Sequence, residues 1–228
     1  MAKILFVMTG ADHWTLADGT KHPTGYWAEE FAAPYEVFTG AGHEVVIATP
    51  GAVQPPVDPA SLSVDANGGQ ARADHVAGVL RAAAETLRNP IKLAQANPAD
   101  YAAVFYPGGH GPMEDLAVDA DSGELLTAAL NSGKPLGVVC HAPAALLATG
   151  PDSPFRGYRV TGFTNAEEHQ AGLADNAKWL LQDRLVDFGV EFAEGEPWAA
   201  NVVVDRNLHT GQNPASSAPL AEELLKAL

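Results

Sequence analysis

Cysteine is nearly absent: the 228 residues contain one, at position 140. That excludes an intramolecular disulfide and a cluster of thiolate metal ligands, and it suits a reducing compartment. Basic residues are scarce too. Thirteen Lys and Arg stand against 28 Asp and Glu, a formal charge of −15. Such a surface repels phosphate backbones and anionic lipid, so neither nucleic acid nor a membrane is expected as a partner. No apolar run approaches the roughly 20 residues of a membrane helix. The first run, Ile4 to Met8, is too short for a signal-peptide core and no cleavage site follows it. A cytoplasmic location is therefore expected. Repeats and low-complexity tracts are also missing.

What the chain does have is a set of nearly continuous apolar runs: ILFVM from Ile4, EVVIAT from Glu44, AAVFYP from Ala102 and PLGVVC from Pro135. Runs of this kind suit strands buried on both faces of a parallel sheet. Helical spacing lies between them, in Trp27, Phe31, Tyr35 and Phe38, in His75 to Leu87, and in Glu124 to Leu130. The alternation predicts one α/β domain over residues 1–228, a doubly wound, flavodoxin-like, mostly parallel sheet with helices on both faces. NVVVDRNLHTG near the C-terminus adds a small hairpin. Pro50 to Gln70, rich in Pro, Gly, Ser and Asp, reads as an irregular excursion.

In such folds the chemistry gathers at the carboxyl ends of the strands. Cys140 stands at one of those ends. A lone cysteine is usually a small buried hydrophobe, but this one separates a strand from HAPAALLAT, a run of good helix formers, which predicts a nucleophile elbow. The amides and dipole at the helix start should then lower the thiol pKa, and the His141 N–H can face an oxyanion. Gly108 and Gly109, after another strand, let the backbone approach a ligand closely.

The segments PGGHGPMEDL, GVVCHAPAAL, VTGFTNAEE and TGQNPASS, with TGYWAEEFAAPYEVFTGAGHEV before them, resemble the ThiJ/PfpI superfamily, on the class I glutamine amidotransferase-like fold, and within it the glutathione-independent glyoxalase III branch. The resemblance runs from Lys3 to Ser217. It implies conversion of methylglyoxal to lactate with Cys140, His141, Glu30 and Glu168 as catalytic residues, Gly108, Gly109 and His110 at the substrate, no metal, no other cofactor, and a homodimer. Glu29 and Glu167 compete with Glu30 and Glu168 for register. His13, His22 and His209 are expected to be surface histidines near the same rim, and no local metal-ligand spacing appears. Two departures stand out: KWLLQ at Lys178 to Gln182, and Glu114 where an aromatic is common, both expected to reshape the pocket mouth. The same elbow would serve a cysteine amidase or peptidase, or a deglycase acting on glyoxal adducts. A redox-sensing or holdase protein that uses Cys140 without turnover is a third reading.

Overall fold

The computed structural model describes residues 1–228. Its strands are β1 (Lys3–Val7), β2 (His13–Thr15), β3 (Lys21–Pro23), β4 (Glu44–Thr49), β5 (Ile91–Lys92), β6 (Ala103–Tyr106), β7 (Leu136–Val139), β8 (Arg159–Val160), β9 (Glu191–Phe192), β10 (Val202–Asp205) and β11 (Leu208–Gly211). The helices are α1 (Ala28–Gly40), α2 (Gln70–Ala82), α3 (Ala84–Arg88), α4 (Gly111–Glu114), α5 (Ala120–Asn131), α6 (Asn165–Ala171), α7 (Leu181–Phe188) and α8 (Ser217–Lys226).

Seven strands form one sheet in the order β10-β11-β7-β6-β1-β4-β5. Every pair is parallel except the β10–β11 hairpin at the edge. The four central runs are buried on both faces because helices cover both, so their sequences do not alternate. Phe6 on β1 meets Phe31 and Phe38 of α1 edge-on and Phe105 of β6 at 5.0 Å. These contacts lock α1 to the middle of the sheet. On α8, Leu220 and Leu224 are fully buried. A Cβ on Gly137 of β7 would lie 2.4 Å from Leu224, so that glycine lets α8 sit flush.

The helix expected over His75 to Leu87 is two helices. Val76 and Val79 pack with Ala28 and Ala32 of α1, whereas Ala83 and Leu87 belong to the main core. Two separate apolar targets turn the chain at Ala83, where ψ is 4°. The Pro50 to Gln70 excursion is irregular, with short 3₁₀ turns at Pro50–Ala52 and Pro59–Leu62. It is nevertheless anchored. Val57 bridges Tyr26, and Ser61 Oγ accepts the Ala28 N–H at 3.0 Å, satisfying an amide at the start of α1. No helix is long and apolar enough to cross a membrane.

Candidate active site

β7 ends and the chain turns at Cys140, which has φ 59°. Few residues other than glycine accept that conformation, and it persists where the surroundings impose it. Here the Cys140 N–H donates to Gly211 O at 2.9 Å, and its carbonyl accepts the Phe163 N–H at 2.8 Å. Neighbouring elements thus hold the strained turn from both sides. A 3₁₀ segment, Ala142–Thr149, follows.

Two rows of groups meet the thiol. On one side stands Glu30, fully buried in the first turn of α1. Its Oε2 accepts the Gly108 N–H at 2.7 Å, Oε1 has no hydrogen-bond partner, and the Cys140 thiol lies beside the carboxyl. Burial pushes the Glu30 carboxyl up to about 8; the thiol and the Gly108 amide pull the other way, and the charges of Glu29 and Asp58 add to the rise. On the other side, His141 Nδ1 lies 3.3 Å from Sγ and Nε2 lies 2.7 Å from Glu168 Oε2. Burial holds His141 down to about 4, with His110 acting in the same sense and Glu168 opposing. A neutral ring with its Nε2–H on the carboxylate leaves Nδ1 as an acceptor facing the thiol.

Glu168 bears a second imidazole, His110, whose Nε2 is 2.9 Å from Oε1. Burial disfavours the charge on Glu168, but the two rings outweigh it and keep this carboxyl below the usual range. The rings are held in a row of aromatic contacts. Trp14, His110, His141, Phe163 and Trp198 follow one another at centroid distances of 4.8, 4.0, 4.4 and 5.4 Å. The ligand-capable atoms of His110, His141 and Glu168 lie within 4.8 Å of one another. Three segments distant in sequence, the turn before α4, the elbow after β7 and helix α6, assemble this group, so a search for local spacing does not reveal it. In the structure each carboxylate oxygen takes one ring N–H.

The expected lowering of the thiol pKa does not occur. Burial raises the Cys140 pKa well above the ordinary thiol value, the Glu30 charge raises it further, and the Gly109 amide opposes them only in part. Gly108 also differs from expectation, because its amide is committed to Glu30 and not open to a ligand. Both glycines are nonetheless required by close approach. A Cβ on Gly108 would sit 2.5 Å from Val139 O and 2.8 Å from both Glu30 Oε2 and His141 N. On Gly109, at φ 92°, it would sit 2.4 Å from Gly25 O.

The register neighbours have other partners. Glu29 pairs with Arg72 at the surface. Glu167, fully buried, takes Thr164 N–H and Oγ1–H on Oε2, and Trp198 N–H and Asn213 Nδ2–H on Oε1. His209, expected at the surface, is buried in β11 with Nδ1 unpartnered. Glu114 clamps the β2–β3 hairpin by accepting from Thr15 N–H and Oγ1–H, and does not line the cleft. Gln182 ties α7 to the start of α6 through the Asn165 N–H, also outside the cleft.

Over Cys140 lies a chamber of about 70 Å³, walled by Trp27, Gly109, His110, His141, Phe163 and Trp198. Outside it opens a cleft of about 740 Å³ that shares Trp27, His110 and Trp198 with the chamber. The excursion contributes Asp58, Asp65 and Asn67 to its wall. Neither tryptophan was singled out by the sequence as a wall of the site. A buried thiol between a carboxyl and a histidine, under a small apolar chamber, is equipped for attack on a small carbonyl carbon.

The DJ-1/PfpI family profile matches residues 23–227. Glyoxalase 3 of Candida albicans is 30% identical over 238 residues, covering 100% of this chain and 98% of that protein. The protein/nucleic acid deglycase HchA of Pseudomonas aeruginosa is 29% identical, covering 99% of this chain and 80% of its own. Among solved structures, glyoxalase III from Candida albicans superposes with a TM-score of 0.86 at 26% identity, over 100% of this chain and 97% of that one.

Proposed function

This chain belongs to the DJ-1/PfpI family, and from that premise we propose that it is a glutathione-independent glyoxalase that converts methylglyoxal, and related small 2-oxoaldehydes, to lactate. The observation that carries the proposal is Glu30: a fully buried carboxyl raised to about 8 and set against the chain's single thiol. With His141 held to about 4, the Glu30 carboxylate is the stronger base by about four pK units, about 5 kcal/mol. The thiol proton therefore passes to Glu30 as sulfur attacks the aldehyde carbon. The hemithioacetal oxyanion faces the backbone amides of Gly109 and His141. A base then takes the proton from the former aldehyde carbon, and the resulting enediol is reprotonated on the adjacent carbon, which leaves a thioester of lactate. Water cleaves it and restores the thiol. Substrate supplies both redox ends, oxidised at one carbon and reduced at the other. His141, oriented by Glu168, exchanges protons on the far side of sulfur.

Lactate formed from methylglyoxal without glutathione, by wild type, Cys140→Ala and Glu30→Gln, tests the proposal. Activity is expected in the wild type alone. Wild-type inactivity overturns the reaction, and a fully active Glu30→Gln overturns the assignment of the base. Because Glu30 must be ionised to take the thiol proton and its carboxyl titrates at about 8, kcat/KM should rise about tenfold between pH 7 and a plateau above pH 9.

A deglycase reading draws on the outer cleft, which at about 740 Å³ is larger than a free dicarbonyl needs. Turnover of a glycated amine in the presence of a methylglyoxal scavenger separates the two readings. A redox-sensing role is disfavoured by the raised thiol pKa, since peroxide attacks thiolates.

A further inference from the structure

We infer that Trp198 is a partition between the two cavities and sets the upper size of the carbonyl compound that Cys140 can engage. The inference rests on the cysteine chemistry proposed above and concerns its selectivity. The inner chamber holds about 70 Å³, while the cleft beyond Trp198 is about ten times larger. A small methyl ketone tail fits the first, whereas an aryl group needs the second.

Packing alone does not account for Trp198. Its φ is 64°, in the left-handed region that favours glycine, and the residue remains 45% exposed, so it is not held there as part of the core. Position accounts for it better. The backbone N–H donates to Glu167 Oε1 at 2.8 Å, the indole N–H donates to Gln170 Oε1, and the ring stands edge-on to Phe163 at 5.4 Å. Glu167 is itself pinned by Thr164 and Asn213. Three independent anchors thus hold an exposed indole where both cavities meet.

The test uses W198G, which relieves the backbone strain, and W198F, which keeps an aromatic wall. In the first assay the ratio of kcat/KM for phenylglyoxal to that for methylglyoxal is expected to rise about tenfold or more in W198G, and less in W198F. The second assay needs no turnover: Cys140 is the only thiol, so alkylation by N-phenylmaleimide relative to iodoacetamide reads access directly. Both reagents require the thiolate, so a change in thiol pKa cancels in their ratio. That ratio should rise in W198G by a similar factor. Folded W198G with both ratios within about twofold of wild type overturns the partition. A shifted alkylation ratio in a protein that makes no lactate upholds the partition and refutes the reaction; lactate production with neither ratio shifted does the reverse.

Discussion

Glu30→Gln should make the protein more stable while removing its activity, and the gain should depend on pH. The free carboxyl titrates at 4.5 and the buried one at about 8. A folded-state pKa raised in this way means that the unfolded chain ionises first. The neutral carboxyl costs nothing below about pH 4.5, and stability is lost progressively as pH rises towards 8. Linkage gives a penalty of about 2 kcal/mol at pH 6 and at most about 4 kcal/mol at pH 8. Glutamine cannot ionise, and its carbonyl can still accept the Gly108 N–H that Glu30 accepts at 2.7 Å. The variant should therefore match wild type near pH 4.5 and exceed it by several kcal/mol at pH 8, a gain of about 2–4 °C in Tm per kcal/mol for a chain of this size. Urea midpoints at pH 4.5, 6 and 8 measure this. The same variant removes a charge that raises the thiol pKa, so the pH midpoint of Cys140 alkylation should fall. A stability difference that does not change with pH, or an alkylation midpoint that moves upward, refutes the reasoning.

Gly108→Ala should lose activity and about 1–3 kcal/mol of stability, because its Cβ would overlap Val139 O and crowd Glu30 and His141 together; activity assays and urea melts report both. His110→Ala removes a ring that helps hold the His141 pKa down, and also exposes His141 to water, so the His141 pKa should rise from about 4. An NMR titration of the His141 ring reads this shift, and an unmoved midpoint counts against the paired-imidazole arrangement on Glu168. Glu114→Ala should loosen the β2–β3 hairpin, visible as faster amide exchange at Thr15, whose N–H it accepts at 2.8 Å.

The central strands could be read from the sequence because burial on both faces writes a continuous apolar run, as in Leu136–Val139. β2, β3, β8 and β9, of two or three residues each, are too short to carry a period, and their existence depends on what packs over them. The elbow was legible because a strand end and a helix-forming run meet at Cys140. The choice between Glu167 and Glu168 has a local signal as well: Thr164 to Glu167 forms a capping box that commits Glu167 to its own helix start. Trp27 and Trp198 carry no such mark, since the chamber they close is made by residues distant in sequence. The thiol's pKa shift runs opposite to the sequence-based expectation for a reason of magnitude. Helix-start amides contribute about 0.3–2 kcal/mol, whereas full burial moves a group by up to 3–5 pK units, at least twice that in energy.

A thiol kept protonated at rest is compatible with the proposed reaction when charge is followed through the chamber. Before attack the negative charge of the ionised pair resides on Glu30, whose carboxylate faces the thiol and the Gly108 amide. As sulfur bonds to carbon, the proton moves to Glu30 and the charge appears on the substrate oxygen, beside the elbow amides. No new charge is created in the dry space; it is displaced by a few ångströms. The desolvation that would make a free thiolate costly here is therefore not incurred again at the transition state. A resting Cys140 thiolate, by contrast, would place two like charges side by side against Glu30. The raised pKa of both groups and the proton transfer between them express one condition: a single negative charge shared by sulfur, carboxyl and substrate oxygen.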